Sequence, residues 1–297
     1  MILHLPALSF GCSPGESRSQ NDMILIPAEA AGQVLGTMTE TEESRNARYF
    51  DSLAAKYDEL MSSRARNSWI RDAFRSLVLD TVPPGSLLLD FGCGTGTDTI
   101  WYAEQGYRVI AYDNSPGMME QLRAKCAGQI ARGEVRPYST DYETFLKREL
   151  RPSPVAVVSN FAAFSVVADL QRLFAALSVH LATSGYVIAS MVNPLFWKEM
   201  FRWWWWKSSI QSLGQGMIHV RGDGIATRRY FASYVTAAAS PYFTGTDLAG
   251  VGALTRNKGC HLWSAPRSLA ERLEHRLWKK PFFRHLGQFT FFVFRKS

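Results

Sequence analysis

The stretch LLLDFGCGTGTDTI, residues 87–100, holds the residues of this chain that are best suited to chemistry. A short apolar run ends in Asp90, and a glycine loop follows before the start of a predicted helix. Glycines at such a turn let the backbone approach a bound molecule closely, and a helix N-terminus favours a small anionic group. The stretch therefore predicts a binding site for a nucleotide-like molecule.

The spacing of the glycines decides between classes of nucleotide. Gly92, Gly94 and Gly96 give G-x-G-x-G. A dinucleotide fingerprint needs G-x-x-G at its end, but Thr97 stands where that last glycine would be. A P-loop needs G-K-[ST], and the loop offers neither that sequence nor a basic residue for a pyrophosphate. The loop thus favours a ligand that carries no phosphates.

Two more acids follow the next two predicted strands. Asp113 ends the second strand, about 20 residues beyond Gly92, where a carboxylate can accept hydrogen bonds from both ribose hydroxyls. Asp141 follows the third strand, where it could meet an adenine amino group. Because the carboxyl ends of parallel strands meet at one edge of a sheet, Asp90, Asp113 and Asp141 together predict an adenosine site.

These residues resemble the class I S-adenosylmethionine-dependent methyltransferases. LLLDFGCGTG looks like motif I of that family, VIAYDNSPGMM like motif II, and SNFAAFSVVADL like the segment after its fourth strand. The lead-in YFDSLAAKYDELM is similar to that of small-molecule methyltransferases of the quinone-biosynthesis group. The resemblance covers about residues 48–191. It implies S-adenosyl-L-methionine as cofactor and an α/β fold, a seven-stranded, mostly parallel Rossmann-like sheet with an antiparallel last strand between two helical layers.

The resemblance also implies roles for individual residues. Asp90 and the loop glycines would contact the methionine part, Asp113 the ribose and Asp141 the adenine. Asn160 would lie beside the donor through its backbone, and Tyr57 would close over the methionine end. Three neighbouring residues complete the predicted cofactor site: Cys93, Asn114 and Phe161. Of these, Cys93 is expected to be only a small side chain that fills the loop.

Each of these residues also has a purely structural interpretation. Asp90 could cap a turn, and Asp113 could cap the next helix, although Ser115 already supplies that signal. Asp141 could have only a local role beside its polar neighbours. Tyr57 could simply pack between helices.

Around the site the sequence predicts one domain. Short apolar runs alternate with amphipathic helices, which is the pattern of a parallel sheet with helical crossovers. The predicted strands are 87–91, 108–112, 134–138, 155–160 and 186–191. The predicted helices between them are 97–105, 116–126, 142–149 and 169–182. The predicted divisions are a disordered extension over 1–44, a methyltransferase domain over 45–297 with a helical lead-in over 45–84, and an acceptor-side insertion over about 194–286.

The insertion contains four consecutive tryptophans, Trp203–Trp206. In a helix, successive residues turn by about 100°, so the four indoles cannot all face one core. The alternatives are lid and core packing, the wall of an apolar acceptor pocket, and a membrane-surface or dimer contact. Lys198, Arg202 and Lys207 nearby would suit an interfacial helix. His219 in the same insertion is the candidate general base, with an ordinary structural histidine as the alternative.

Composition limits the other partners. The 297 residues carry a formal net charge of +7, and the excess of Lys and Arg is concentrated after residue 255. A local excess of this kind is typical of a solvated basic face, and no nucleic-acid-binding signature accompanies it. The four cysteines are scattered, so neither a metal site nor a disulfide framework is predicted, and a reducing, cytoplasmic location is expected.

The leading hypothesis is methyl transfer from S-adenosylmethionine to an oxygen or nitrogen of a small, apolar or lipid-like acceptor. One alternative is a protein that binds S-adenosylmethionine without catalysis, and another is a membrane-peripheral lipid methyltransferase. A base-modifying enzyme would carry Asn/Asp-Pro-Pro-aromatic after the fourth strand, where this chain has NFAAF. An aminopropyl transferase would carry acids there, and SNFAAFSVV lacks them.

Overall fold

A computed structural model describes residues 41–63, 65–212, 214–222, 225–254 and 267–297. The described strands are β1 Leu87–Phe91, β2 Arg108–Asp113, β3 Val135–Ser139, β4 Ala156–Ser159, β5 Tyr186–Val192, β6 Met217–Gly222, β7 Ile225–Tyr230, β8 Phe243–Val251 and β9 Phe289–Lys296. The described α-helices are α1 Glu42–Leu53, α2 Tyr57–Ser62, α3 Ala65–Thr81, α4 Thr97–Glu104, α5 Pro116–Lys125, α6 Ala127–Ala131, α7 Tyr142–Lys147, α8 Leu170–His180, α9 Trp197–Met200, α10 Trp203–Gln211, α11 Ala232–Ala239 and α12 Arg267–Leu277.

Seven strands form the main sheet, in the order β3-β2-β1-β4-β5-β9-β8. The first five strands pair in parallel, and β9 runs antiparallel to both of its neighbours, β5 and β8. The order reverses at β1, so a crevice opens between β1 and its neighbours at their carboxyl ends. The predicted Rossmann-like sheet with an antiparallel last strand is confirmed.

The central strands are apolar and buried, which is why helices cover both faces of the sheet. On one face Phe74 of α3 packs edge-on against Phe291 of β9, with ring centroids 5.3 Å apart. On the other face Phe174 of α8 contacts Phe294 of β9 at 5.5 Å. Burial of each such ring stabilises the fold by roughly 1.5–3 kcal/mol. The packed sheet therefore supports the crevice from below.

The predicted insertion over 194–286 needs a correction, because it contains a strand of the main sheet. β8 pairs with β9, and α11 packs on the same face as α8. The sequence of β8, FTGTDLAGV, hides this role because its first half is polar and largely exposed at the edge of the sheet. Among the described residues of the insertion, β6 and β7 form a separate two-stranded sheet, and α9 and α10 lie beside it.

The helical lead-in begins earlier than predicted. α1 starts at Glu42, and the Thr41 hydroxyl caps it by accepting a hydrogen bond from the Ser44 N–H. The remainder of the predicted extension, residues 1–40, lies outside the described residues. No described helix combines the length and the apolarity needed to cross a bilayer.

Candidate functional site

A cleft of about 1380 Å³, including its open mouth, lies above the carboxyl ends of β1, β2 and β4. The glycine loop forms its floor, and α1 and β7, which we call the roof, cover it. Most of the residues predicted to hold a cofactor line this cleft: Tyr57, Asp90, Gly92, Cys93, Gly94, Asp113, Asn114, Asn160 and Phe161. The fold thus brings together residues that are separated by more than a hundred positions in sequence, from Tyr57 to Phe161.

Backbone hydrogen bonds hold the glycine loop against β2. The N–H groups of Gly92 and Cys93 both donate to the Tyr112 carbonyl, over 2.8 and 3.0 Å. Gly92 has φ +72°, and a Cβ there would lie 2.4 Å from the Cβ of Ala163. Only glycine fits this position, because both the backbone conformation and the approach of the neighbouring segment exclude a side chain.

Gly96 belongs to packing rather than to the cleft. A Cβ at this position would lie 2.9 Å from Cγ of Leu122, so its missing side chain lets α5 approach the loop. It is absent from the cleft lining, although the resemblance implied contact with the methionine part.

Asp113 is tied to the loop by backbone hydrogen bonds. Its Oδ2 accepts from the Gly94 N–H and its Oδ1 from the Ser115 N–H, each over 2.9 Å. Burial raises the pKa of this carboxyl, and the two backbone N–H groups oppose the rise. Each carboxylate oxygen has a second lone pair for a ligand hydroxyl. Asp113 is therefore held in a fixed position at the end of β2.

Asp90 is 3% exposed at the end of β1. Burial raises its pKa to about 7, although the Thr99 hydroxyl opposes the rise by donating to Oδ2 over 2.6 Å. A carboxyl in this position stands ready to meet a ligand cation, which would favour its ionised form.

The turn that follows β4, residues 160–162, has an uncommon conformation. Phe161 and Ala162 both have positive φ, +50° and +67°, in the left-handed region that non-glycine residues seldom adopt. The Asn160 Oδ1 accepts from the Phe161 N–H over 2.8 Å and from the Ser190 hydroxyl over 3.2 Å. These bonds fix the sharp turn that lets the backbone here line the cleft.

An ion-pair network at the cleft wall was not predicted from the sequence. Asp98, in the first turn of α4, pairs with Arg71 over 3.0 Å and with Arg75 over 2.8 Å. The Asn160 side-chain amide donates to the same carboxylate over 3.1 Å. Arg71 also stacks over the Phe161 ring at 4.8 Å and lines the cleft. The network places a cation beside the buried carboxyl of Asp90.

The roof is fastened at both ends of α1. Near its start, Glu42 accepts two hydrogen bonds from the Arg228 guanidinium of β7, over 2.5 and 2.7 Å. Near its end, Asp51 accepts from the Ser115 hydroxyl and the Gly117 N–H, over 2.5 and 2.8 Å. Beyond α1, the half-buried Tyr57 lies close to Gly94, in the position that a lid over the glycine loop would take.

The structure does not bring Asp141 to the cleft. Its Oδ1 accepts from the Thr144 N–H over 2.9 Å and its Oδ2 from the Thr144 hydroxyl over 2.7 Å, so it caps α7. These bonds lower the pKa of the exposed carboxyl. The next residue, Tyr142, lines the cleft instead.

His219 is also outside the cleft lining. It lies on β6 opposite Arg228, and its Nε2 is 3.0 Å from Oε1 of Gln215. The geometry therefore gives no support to His219 as the general base.

The four tryptophans divide between core and surface. Trp205 is 7% exposed, and its indole N–H donates to the Pro194 carbonyl over 2.7 Å. Trp204 is half-buried beneath the Arg229 guanidinium, at 5.2 Å. Trp203 and Trp206 are 73% and 55% exposed. The expectation that one core could not take all four indoles is met.

The polar atoms of the cleft that lack a hydrogen-bond partner indicate whether an adenosine with a methionine tail fits the site. The buried hydroxyls of Tyr112 and Tyr142 line it without a hydrogen-bond partner among the described residues. Such atoms are costly unless a ligand or water satisfies them. Together with Asp113, Asp90 and Arg71 they match the donors and acceptors of S-adenosylmethionine, so the residues present fit this molecule. Within the described residues, no cluster of His, Cys, Asp and Glu could hold a metal ion.

Comparison with known proteins agrees with the fold. The sequence profile of a family described as a methyltransferase domain matches residues 61–222. An uncharacterized protein of Haemophilus influenzae is 31% identical over 153 residues, which are 50% of this chain and 58% of that protein. A demethylmenaquinone methyltransferase of Renibacterium salmoninarum is 39% identical over 79 residues, 25% of this chain and 31% of that enzyme. The chain thus spans less than two thirds of the length of these relatives.

A solved structure extends the likeness beyond the matched segment. The 1,6-didemethyltoxoflavin-N1-methyltransferase of Burkholderia thailandensis superposes with a TM-score of 0.55 at 16% identity, over 89% of this chain and 93% of that one. At this identity the likeness shows a shared fold. Because the family profile covers more than half of the sequence, the chain belongs to the methyltransferase domain family, and its sheet has the strand order of the class I S-adenosylmethionine-dependent methyltransferases.

Proposed function

We propose that this protein binds S-adenosylmethionine in the cleft and transfers its methyl group to an oxygen or nitrogen of a small, apolar acceptor. One observation carries the proposal. The buried carboxyls Asp90 and Asp113 flank a glycine loop that has no basic residue of its own, so the floor suits a ribose and an ammonium group but repels a pyrophosphate.

Each part of the site has a distinct task in binding the donor. Asp113 would accept hydrogen bonds from the ribose hydroxyls, and Arg71 would pair with the carboxylate of the methionine end. Asp90 would meet the neighbouring ammonium group. Tyr57 would exclude water from this end of the cleft. Held by charges at one end and by the ribose at the other, the donor would have one orientation.

S-adenosylmethionine supplies an activated methyl group: a new O–C or N–C bond forms at the acceptor, the C–S bond breaks to leave a neutral thioether, and the acceptor loses a proton. The protein must hold the acceptor in line with the breaking bond. Such positioning can lower the activation free energy by roughly several kcal/mol. The described cleft lining contains no histidine or lysine. We therefore expect the acceptor proton to pass to water rather than to His219.

The remaining walls of the cleft favour an apolar acceptor. Val166, Val192 and Phe289 line it beyond Phe161, and Ile225 closes it from the roof. A ligand enclosed by such walls must leave water with little charge of its own. The R. salmoninarum relative is named for demethylmenaquinone, which agrees with an acceptor of lipid-like character.

A membrane-peripheral version of this function is favoured by one feature. Phe201, Trp203 and Trp206 expose apolar rings around α9 and α10, and the amines of Lys198 and Lys207 lie 5.4 and 5.7 Å from the Trp197 and Trp203 rings. Exposed indoles beside cations suit an anionic lipid surface. In this version the chain works in the cytoplasm, as the scattered cysteines predict, and collects a lipid-like acceptor at a membrane surface.

Calorimetric titration with S-adenosylhomocysteine tests the proposal. Saturable binding, with no binding of a nicotinamide dinucleotide, is the expected result. Transfer of a radiolabelled methyl group to an acceptor then tests catalysis separately. Dinucleotide binding in place of S-adenosylhomocysteine would refute the proposal, whereas tight S-adenosylhomocysteine binding without transfer to a broad panel of acceptors would leave a non-catalytic binding protein.

A further inference from the structure

Asn46, in the middle of α1, has a side chain that the rest of the protein leaves half-satisfied. The residue is 4% exposed and lines the cleft. Its Nδ2 donates to the Val166 carbonyl over 3.3 Å. Because a carbonyl can only accept, this bond fixes which end of the amide is nitrogen, and Oδ1 faces away from Val166. Oδ1 is buried and has no hydrogen-bond partner among the described residues.

The fold holds this unsatisfied atom in place. Both ends of α1 are fastened, by Glu42 to Arg228 and by Asp51 to Ser115. The helix therefore cannot turn to expose the amide without breaking these contacts. A buried acceptor that lacks a donor lowers the stability of the folded protein, and a ligand that supplies the donor recovers that loss.

The position of Asn46 indicates which ligand supplies the donor. Its fixed partner, Val166, belongs to the segment after β4, on the side of the cleft with the apolar walls. Asp113 and the unpartnered hydroxyl of Tyr112 lie instead on β2, on the side of the ribose and adenine. Asn46 thus belongs to the acceptor half of the cleft.

We propose that Oδ1 of Asn46 accepts a hydrogen bond from a hydroxyl or N–H group of the methyl acceptor. The acceptor is then a neutral, apolar molecule that carries at least one such donor, and Asn46 determines specificity for it. This inference rests on the proposed function, since it names the substrate class of the same cleft. A site built to pair with a hydroxyl discriminates strongly against an analogue that lacks it, because its own buried group is then left unpaired.

A matched pair of probes tests the inference: 2-naphthol, which has a donor, and 2-methoxynaphthalene, which has none. Their affinities for the protein saturated with S-adenosylhomocysteine are measured by calorimetry. We expect the wild type to bind 2-naphthol at least tenfold more tightly. In Asn46→Leu, whose side chain has the same branching and the same number of heavy atoms but no polar group, the ratio should fall below threefold because 2-naphthol binding weakens. Asn67→Leu is the control, since the Asn67 amide donates to the Met61 carbonyl away from the cleft, and it should keep the wild-type ratio.

Three outcomes would overturn the inference. The first is an unchanged ratio in a folded Asn46→Leu variant. The second is a loss of S-adenosylhomocysteine affinity of tenfold or more in this variant, which would make the adenine amino group the donor that Asn46 meets. The third is the absence of binding by both naphthalene probes to the wild type. A wild type that fails to bind S-adenosylhomocysteine refutes the proposed function instead, and the probe ratio on the ligand-free protein still decides the role of Asn46.

Discussion

Arg71 of α3 and Asp98 of α4 form an ion pair of 3.0 Å at the wall of the cleft, and the Asn160 amide donates to the same carboxylate oxygen. The pair joins the helical lead-in to the strand ends. The local sequence around neither residue predicts this contact. Asp98 orients the guanidinium, and under the proposed function its remaining N–H groups would donate to the carboxylate of the methionine end.

Removal of the Arg71 guanidinium should weaken ligand binding selectively. We expect Arg71→Ala to lower S-adenosylhomocysteine affinity at least tenfold, about 1.4 kcal/mol. The affinity for 5′-methylthioadenosine, which lacks the amino-acid end, should change less than twofold. Arg75→Ala is the matched control, because Arg75 pairs with the same Asp98 but is not part of the cleft lining. Equal losses for both ligands would show that Arg71 only supports the fold.

Asp113 should carry the recognition of the ribose. Asp113→Asn keeps the size of the side chain and its acceptor oxygen, but it loses the charge and one of two acceptors. We expect S-adenosylhomocysteine affinity to fall at least tenfold and the preference for adenosine over free adenine to disappear in calorimetric titrations. An intact preference in a folded variant would remove Asp113 from the ribose site.

Two variants of Asp141 distinguish a role as helix cap from a role as ligand contact. Asp141→Ala should lower the free energy of unfolding by about 1 kcal/mol, because α7 loses its cap, whereas Asp141→Ser keeps a capping oxygen and should be close to the wild type. Urea unfolding measures both effects. The S-adenosylhomocysteine affinity of Asp141→Ser should stay within threefold of the wild type. A larger loss would restore the predicted contact with adenine.

Asp90 should make stability depend on pH. Its folded pKa, raised to about 7 by burial, lies above the unfolded value. Between about pH 4 and pH 7 the native state keeps a proton that the unfolded chain has lost, so the free energy of unfolding falls as pH rises through this interval and levels off above it. The ionised form of Asp90 thus destabilises the ligand-free protein at pH 8.

Asp90→Asn should remove this dependence. At pH 8 the variant should be more stable than the wild type by up to about 4 kcal/mol, the equivalent of three pKa units, while near pH 4 the two should be nearly equal. Urea unfolding at both pH values makes the comparison. Asp72→Asn, which alters an exposed acid of α3, is the control. A wild type whose stability rises between pH 5 and pH 7 in step with that of Asp90→Asn would contradict the assignment.

The exposed indoles should determine binding to lipid. The double variant Trp203→Ser, Trp206→Ser should lose most of its co-sedimentation with anionic phosphatidylglycerol vesicles and keep its S-adenosylhomocysteine affinity. Binding by the wild type should also weaken at high salt, because charges contribute to it. Val179→Ser, at another exposed apolar position, serves as control. A wild type that does not sediment with vesicles at low salt would exclude the membrane-peripheral version.

Much of the fold, and the residues that line the candidate site, could be predicted from the sequence. Strand β1 with its glycine loop, and Asp90 and Asp113 at the strand ends, follow from a local pattern, because strand, turn and helix are consecutive in the chain. Their common position then follows from parallel pairing alone. The resemblance to the methyltransferase family rests on the same local segments and is confirmed.

The remaining site residues depend on long-range packing, which a local pattern does not contain. An acid at the start of α7 fits a cap and a ligand contact equally well, so the role of Asp141 could not be decided from residue type. The direction in which His219 points depends on the register of β6 against β7. Asn46 and Arg71 reach the cleft only because α1 and α3 fold back over the sheet.

The roof has a consequence for the relationship between this chain and its family. α1 precedes the segment matched by the family profile, and β7 and Phe289 of β9 follow it, so the roof and part of the apolar wall of the cleft lie outside the shared part. Under the proposed function, the common segment would supply most of the contacts to the donor, and the flanking segments would contribute to the choice of acceptor. Proteins that share the glycine loop can therefore bind the same methyl donor and still methylate different acceptors.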